Sequence, residues 1–286
     1  MVQSIFYIGA ILKKMHRLLL PIVVVLLARA ETLRVGVVSQ QEMEQRLHSA
    51  PARNQQRQAA IGVMFRSAGC PPESLEMRPL KHSKFSNVVC TMAGTGPDVI
   101  VVGGHFDHSK AGDGIIYNWS GASMVANLIQ SLGSETRRHT FVFVAFAEEE
   151  AGLLGAQAFA RALLKPDLEH VKAMVNIDSL GLGPPVVWRS RANPNLFDAA
   201  QTVAAAIQFR LDVVDVDAAA ESDSEPFRQK NIPVIDFHSL HPDTMHILHS
   251  KDDNFQAVQM QGYTDSFRVI ANFLAWIDAK FDVKLP

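Results

Sequence analysis

The chain is poor in cysteine. Cys70 and Cys90 are the two present among 286 residues, and no Cys-x-x-Cys spacing joins them, which argues against a thiolate zinc site. It leaves open whether they form a disulfide or remain two buried thiols. The chain also lacks an excess of charge of one sign. Lys and Arg number 27 against 29 Asp and Glu, a formal net charge of −2, so nothing points to nucleic acid or an anionic membrane as partner. No Pro/Ser/Gly-rich linker, internal repeat or low-complexity tract interrupts the middle of the chain. Familiar catalytic signatures are missing too: His-Glu-x-x-His, Gly-x-Ser-x-Gly, a Walker loop and Gly-x-Gly-x-x-Gly.

What is present is ordinary globular composition, 48% hydrophobic and 20% charged, enough for a sizeable core. The first thirty residues stand apart. "KKMHR" supplies positive charge ahead of "LLLPIVVVLL", and "ARA" follows, with Ala28 and Ala30 in small-residue cleavage positions. This is the three-part pattern of a secretory signal. It predicts a segment 1–30 removed after Ala30 and a single working domain, 31–286, secreted or periplasmic and free of the membrane once the signal is cleaved. The other reading is an uncleaved membrane anchor, helped by the apolar "IFYIGAIL" upstream. "NWS" at Asn118–Ser120 fits a glycosylation sequon.

Beyond the signal, residues 40–68 read as helical. "NVVCTMAG", "DVIVVGGHFDH", "FVFVAFAEEE", "VKAMVNIDSLG" and "IPVIDFHS" read as strands. Between and after them lie helical stretches: "SGASMVANLIQSL", with Ser120 as its cap, then 152–164, 194–207 and 255–279. Continuous apolar strands alternating with helices predict a three-layer α/β/α fold on a mostly parallel mixed sheet.

Imidazoles and carboxylates collect where these strands end. The first strong strand ends in His105 and Asp107, the next in Glu148, Glu149 and Glu150, the third in Asp178. The strand at 232–238 leads into "HSLHPDTMHILHSKDDN". Ligands of open α/β sheets bind beyond the carboxyl ends of the strands. Three adjacent glutamates there repel one another unless a cation stands among them. His and carboxylate donors without thiolates are the set expected for hydrolytic zinc. By spacing alone His246 and His249 are equal candidates; His108, His238 and His241 read as surface or packing residues.

In this order, "GGHFDH", "NWSGAS", "AEEEAGLLGAQAF", "NIDSLG" and "LHSKDDN" resemble the zinc-dependent exopeptidases of the bacterial leucyl aminopeptidase type. That superfamily also holds glutamate carboxypeptidase, transferrin receptor and glutaminyl cyclase. The resemblance covers about residues 85–275. It implies one or two zinc ions and a peptide substrate, with His105 and Asp178 as ligands of one ion and Glu150 and His249 of the other. It makes Asp107 the partner that orients the His105 imidazole and Glu149 the general base; Glu148 receives no role. The implied activity is hydrolysis of N-terminal residues by metal-activated water. A glutaminyl cyclase-like single-zinc acyltransferase and an inactive binding homologue are the alternatives.

One position departs from the resemblance. Relatives carry a metal-bridging Asp two residues before the residue that precedes Ser-Gly; here Tyr117 stands there. A phenol has one oxygen, a pKa near 10 and a bulky ring. Three consequences are open: ligation by a Tyr117 phenolate, replacement by Asp113, or a weakened metal centre in an enzyme of low activity or none.

Overall fold

The computed structural model describes residues 34–109, 111–133, 136–216 and 221–280. The signal segment and its cleavage point at Ala30 lie outside these residues. The described elements, in chain order, begin with α1 (Gln40–His48), α2 (Asn54–Ser67), β1 (Leu75–Pro79), β2 (Ser86–Met92) and β3 (Val99–His105). Then come α3 (Ser120–Leu132), β4 (Thr140–Phe146), α4 (Leu154–Ala162), α5 (Lys165–His170) and β5 (Val171–Ile177). The series ends with β6 (Val186–Val187), α6 (Pro194–Ala206), β7 (Asp212–Val213), α7 (Glu225–Arg228), β8 (Val234–His238) and α8 (Met260–Lys280).

The strands form one sheet in the order β1-β2-β4-β3-β5-β8-β6-β7. Its four central strands β4, β3, β5 and β8 run parallel, whereas β1–β2, β2–β4 and β6–β8 pair antiparallel. The mostly parallel mixed sheet is as the sequence predicts. Side-chain alternation sorts the core into two layers. Ile100 and Val102 of β3, Phe141 and Phe143 of β4, and Ile235 and Phe237 of β8 pack with α1, α2, α3, α6 and α8. Val101, Val144, Phe146, Met174 and Val234 point the other way, onto Ala156 and Phe159 of α4 and Phe227 of α7. Burial on both faces is why these strands read as continuous apolar runs rather than alternating ones.

Several elements differ from expectation. The helix expected over 40–68 is two helices, broken where the chain turns through Ser49–Arg53, because Pro51 cannot continue a helix. α1 starts on a capping box in which Ser39 and Glu42 satisfy each other's backbone N–H. The final helix begins at Met260, after a short 3-10 turn at Phe255–Ala257. Ser120 is not a cap: a distorted helical turn over Ile115–Trp119 runs directly into α3, and the Ser120 hydroxyl donates to the Ile116 carbonyl at 2.7 Å. Cys70, just past α2, and Cys90 on β2 are joined by a disulfide with Cα atoms 6.0 Å apart, which settles the choice the sequence left open.

Candidate metal centre

The carboxyl ends of β3, β4 and β5 meet where α3 begins, and close approach at that corner explains the glycines. A Cβ on Gly104 would lie 2.5 Å from the Ile177 carbonyl, and one on Gly121 would lie 2.4 Å from both that carbonyl and Asn118 Oδ1. Without side chains there, Asn118 can tie the corner together. Its Nδ2 donates to the Ile177 carbonyl, while its Oδ1 accepts from the Gly121 and Ser179 backbone N–H groups. Asn118 is fully buried, so the sequon is closed to modification in the folded protein.

His105 ends β3 with its side chain fully buried. Its Nδ1 lies 3.0 Å from the Asp107 carbonyl oxygen. A carbonyl only accepts, so Nδ1 carries the proton. Nε2 has no hydrogen-bond partner among the described residues. It faces Glu149 Oε2 at 3.7 Å and Asp178 Oδ2 at 3.8 Å. Burial disfavours a charged imidazole, but the carboxylates of Glu149, Asp178 and Asp107 outweigh it and push His105 up to about 10. The position calls for positive charge.

The Asp107 carboxylate faces both the imidazole and the glutamate turn. It sits 3.8 Å from His105 Nδ1, while its two oxygens accept the backbone N–H groups of Glu149 and Glu150 at 3.2 and 3.3 Å. The main-chain carbonyl of Asp107 orients the imidazole, and its side chain fixes the glutamate turn.

That turn sorts the three glutamates by depth. Glu148 takes a left-handed backbone (φ 58°) and is half-buried. Glu149 is only 7% exposed, and burial, the largest influence, raises its pKa, with Asp178 adding and His105 opposing. Glu150 reaches outward, and its Oε1 lies 3.0 Å from His249 Nε2.

Tyr117 stands between the two halves. Its ring meets His105 edge-on at 4.7 Å and His249 at 5.0 Å between centroids, and its hydroxyl donates to Glu149 Oε2 at 2.8 Å. Burial, followed by the charges of Asp178 and Glu149, holds the phenol in its protonated form. The Tyr117–Asn118 peptide is cis. Asp253 secures this segment from below, its carboxylate accepting the backbone N–H groups of Ile116 and Tyr117. Arg57, fully buried, donates to the carbonyls of Phe106, Gly114 and Asp113 and so ties the His105 loop to the Tyr117 loop. Asp113 does not join the centre. It lines a separate cavity of about 640 Å³ with Arg53, Asn54 and His108.

Among the described residues, no three His, Cys, Asp or Glu side chains stand in a metal-holding group. Two pairs come nearest, and they differ. At His105 and Asp178, a bare imidazole nitrogen faces two carboxylates, and this donor set fits one cation. At Glu150 and His249 the donors satisfy each other. Between the pairs, where a shared carboxylate would be needed, Tyr117 offers one oxygen, and that oxygen is engaged with Glu149. The residues fit a single cation at His105 and Asp178; they do not fit a bridged pair.

Sequence reasoning overlooked Asp223, which is buried with neither carboxylate oxygen hydrogen-bonded among the described residues. Burial raises its pKa, and it feels the charges of His105 and Glu149. Nothing in "ESDSEPF" separates it from a surface turn. Asp253 was overlooked too, although it follows His249 by four residues in one motif. His238 is buried with both ring nitrogens engaged. Its Nδ1 accepts from the Leu240 N–H and its Nε2 lies 3.0 Å from the Val214 carbonyl.

The family described as peptidase family M28 matches residues 87–274. An aminopeptidase of Bacillus subtilis (strain 168) is 24% identical over 174 residues, which is 58% of this chain and 38% of that protein. The chain thus spans well under half the length of this curated relative. Among solved structures, a zinc aminopeptidase from Bacillus subtilis superposes with a TM-score of 0.63 at 21% identity, covering 70% of this chain and 52% of that one. The glutaminyl cyclase of Porphyromonas gingivalis superposes with a TM-score of 0.68 at 17% identity, covering 82% of this chain and 97% of that one. These likenesses show a shared fold.

Proposed function

The chain belongs to peptidase family M28, and from that premise we propose that it is a zinc-dependent aminopeptidase with a weakened metal centre, slowly removing N-terminal residues from peptides. The observation that carries this reading is the unpartnered His105 Nε2 facing Glu149 and Asp178 beyond the sheet edge. His105 and Asp178 would hold the ion. When bound, zinc supplies Lewis acidity toward a scissile carbonyl and its water.

The protein's own groups supply the rest. Glu149 is buried beside that position and is more basic than a solvated carboxylate, so it can hold a proton at Oε2 and release it to a leaving amine. Asp107 keeps Glu149 in place through the backbone N–H bonds of the glutamate turn. Tyr117 lowers the availability of Glu149 by donating to it. Secretion accords with the signal-like segment and with the Cys70–Cys90 disulfide, a bond typical of oxidising compartments.

A glutaminyl cyclase is the second reading. A single-cation site favours it. The segment after the glutamates, "AGLLGAQAF", is of the peptidase type and favours the first. Purified protein assayed on aminoacyl-anilides and on peptides with N-terminal glutamine, with zinc content measured alongside, separates them. Slow zinc-dependent release of the anilide is expected. Cyclisation of glutamine without anilide hydrolysis would establish the second reading, and no turnover of either would leave a binding homologue.

A further inference from the structure

A cavity of about 280 Å³ opens beside Tyr117 and Asp178. Its walls are apolar: Trp188, Val216, Leu240, Met245 and Leu248 line it. Its floor is different. Asn176 of β5 and Asp236 of β8 are register partners in the sheet, and both line the cavity together with buried Ser222 and, as an exposed lining residue, Glu221. Two of these groups are already engaged. Ser222 and Ser224 donate their hydroxyls to the two oxygens of Asp236, and Asn176 Nδ2 donates to Ser222 Oγ.

What remains is a surplus of acceptors. Asn176 is 1% exposed, and its Oδ1 has no partner among the described residues. Leaving a buried amide oxygen without a donor is unfavourable, so the site favours a ligand that brings one. Asp178 would hold the ion and Asp236 is engaged by the serines, which leaves Glu221 as the free carboxylate of the lining, and among the described residues no Lys or Arg lines the cavity. Arg191 stacks on Trp188 at 4.0 Å but is not among the lining residues. His238, also in the wall, has both ring nitrogens engaged.

We infer that this cavity receives the side chain of a substrate's N-terminal residue and selects a long apolar stem ending in a cation, that of lysine or arginine. The stem matches the Trp188–Leu240–Leu248 walls, and the head meets Asn176 Oδ1 and the carboxylate of Glu221. An aliphatic side chain of equal length would cover the walls and leave the floor acceptors unpaired. This inference rests on the aminopeptidase reading above, which it deepens by naming the substrate class.

The test separates the two. Lysinol, norleucinol and leucinol are amino alcohols that cannot be hydrolysed, so calorimetry on the purified zinc-loaded chain reads the cavity independently of turnover. Lysinol should bind at least about tenfold tighter than norleucinol, the equivalent of about 1.4 kcal/mol. Glu221 is exposed, so Glu221→Gln should fold normally and bring that ratio toward unity; Asn176→Leu is the second variant. Lysyl-anilide should likewise exceed leucyl-anilide in kcat/KM. Equal binding of lysinol and norleucinol, no binding of either, or a ratio unchanged in both variants would overturn the inference. Selective lysinol binding without hydrolysis of lysyl-anilide would uphold the cavity's preference and sink the peptidase reading.

Discussion

Glu149 differs from its neighbours in depth rather than in kind, and at the scale of single residues that difference carries the proposed chemistry. It is buried beside His105, while Glu148 is half-buried and Glu150 turns toward His249. Glu149→Gln should leave folding and zinc content nearly intact and lower turnover about 10²–10⁴-fold, the usual contribution of a positioned general base. Glu148→Gln is the control and should lose little. Steady-state kinetics with metal analysis on both variants checks this, and near-normal turnover of Glu149→Gln would remove it from the mechanism. Much of this site was legible in the sequence because it sits at strand ends, where an apolar run stops abruptly on a charge. Asp223, Asp253 and Arg57 were not legible. They act through burial and through bonds to backbone groups distant in the chain, and no local spacing encodes that.

At the scale of elements, legibility followed burial. β3, β4, β5 and β8 are covered on both faces and so read as unbroken apolar runs. β6 and β7 are two residues long and leave no periodic signal, and β1 is an edge strand with mostly exposed or half-buried side chains. The break at Pro51 was visible in the sequence but was outweighed by the helical composition on either side. The Cys70–Cys90 bond joins the end of α2 to β2 across 20 residues. Closing a loop of that length restricts the unfolded chain, so the double Cys70→Ala, Cys90→Ala variant should lose about 2–4 kcal/mol. Denaturant unfolding measures the difference. A loss under about 0.5 kcal/mol, within the range of ordinary surface substitutions, would mean that the pair contributes only packing.

At the scale of the whole molecule, a buried histidine at the end of β8 makes stability respond to acid. His238 is pushed down to about 4, chiefly by burial, against about 6.5 in an unfolded chain. A depressed histidine value means that the unfolded state takes up the proton first. Its contribution to stability is complete above pH about 6.5 and is lost as pH falls toward 4. Comparing wild type with His238→Gln across that range should show the wild type's slope flattened in the variant; identical slopes would show that His238 ionises freely in the fold.

The central claim is that Tyr117 limits this centre to a single, weakly held cation. The direct measurement is zinc occupancy of the wild-type chain and of Tyr117→Asp, dialysed against the same free zinc concentration. The account predicts at most one ion, partly occupied, in the wild type and an approach to two in Tyr117→Asp, where a carboxylate can join the His105–Asp178 and Glu150–His249 pairs. Two fully occupied ions in the chain that retains Tyr117 would contradict it.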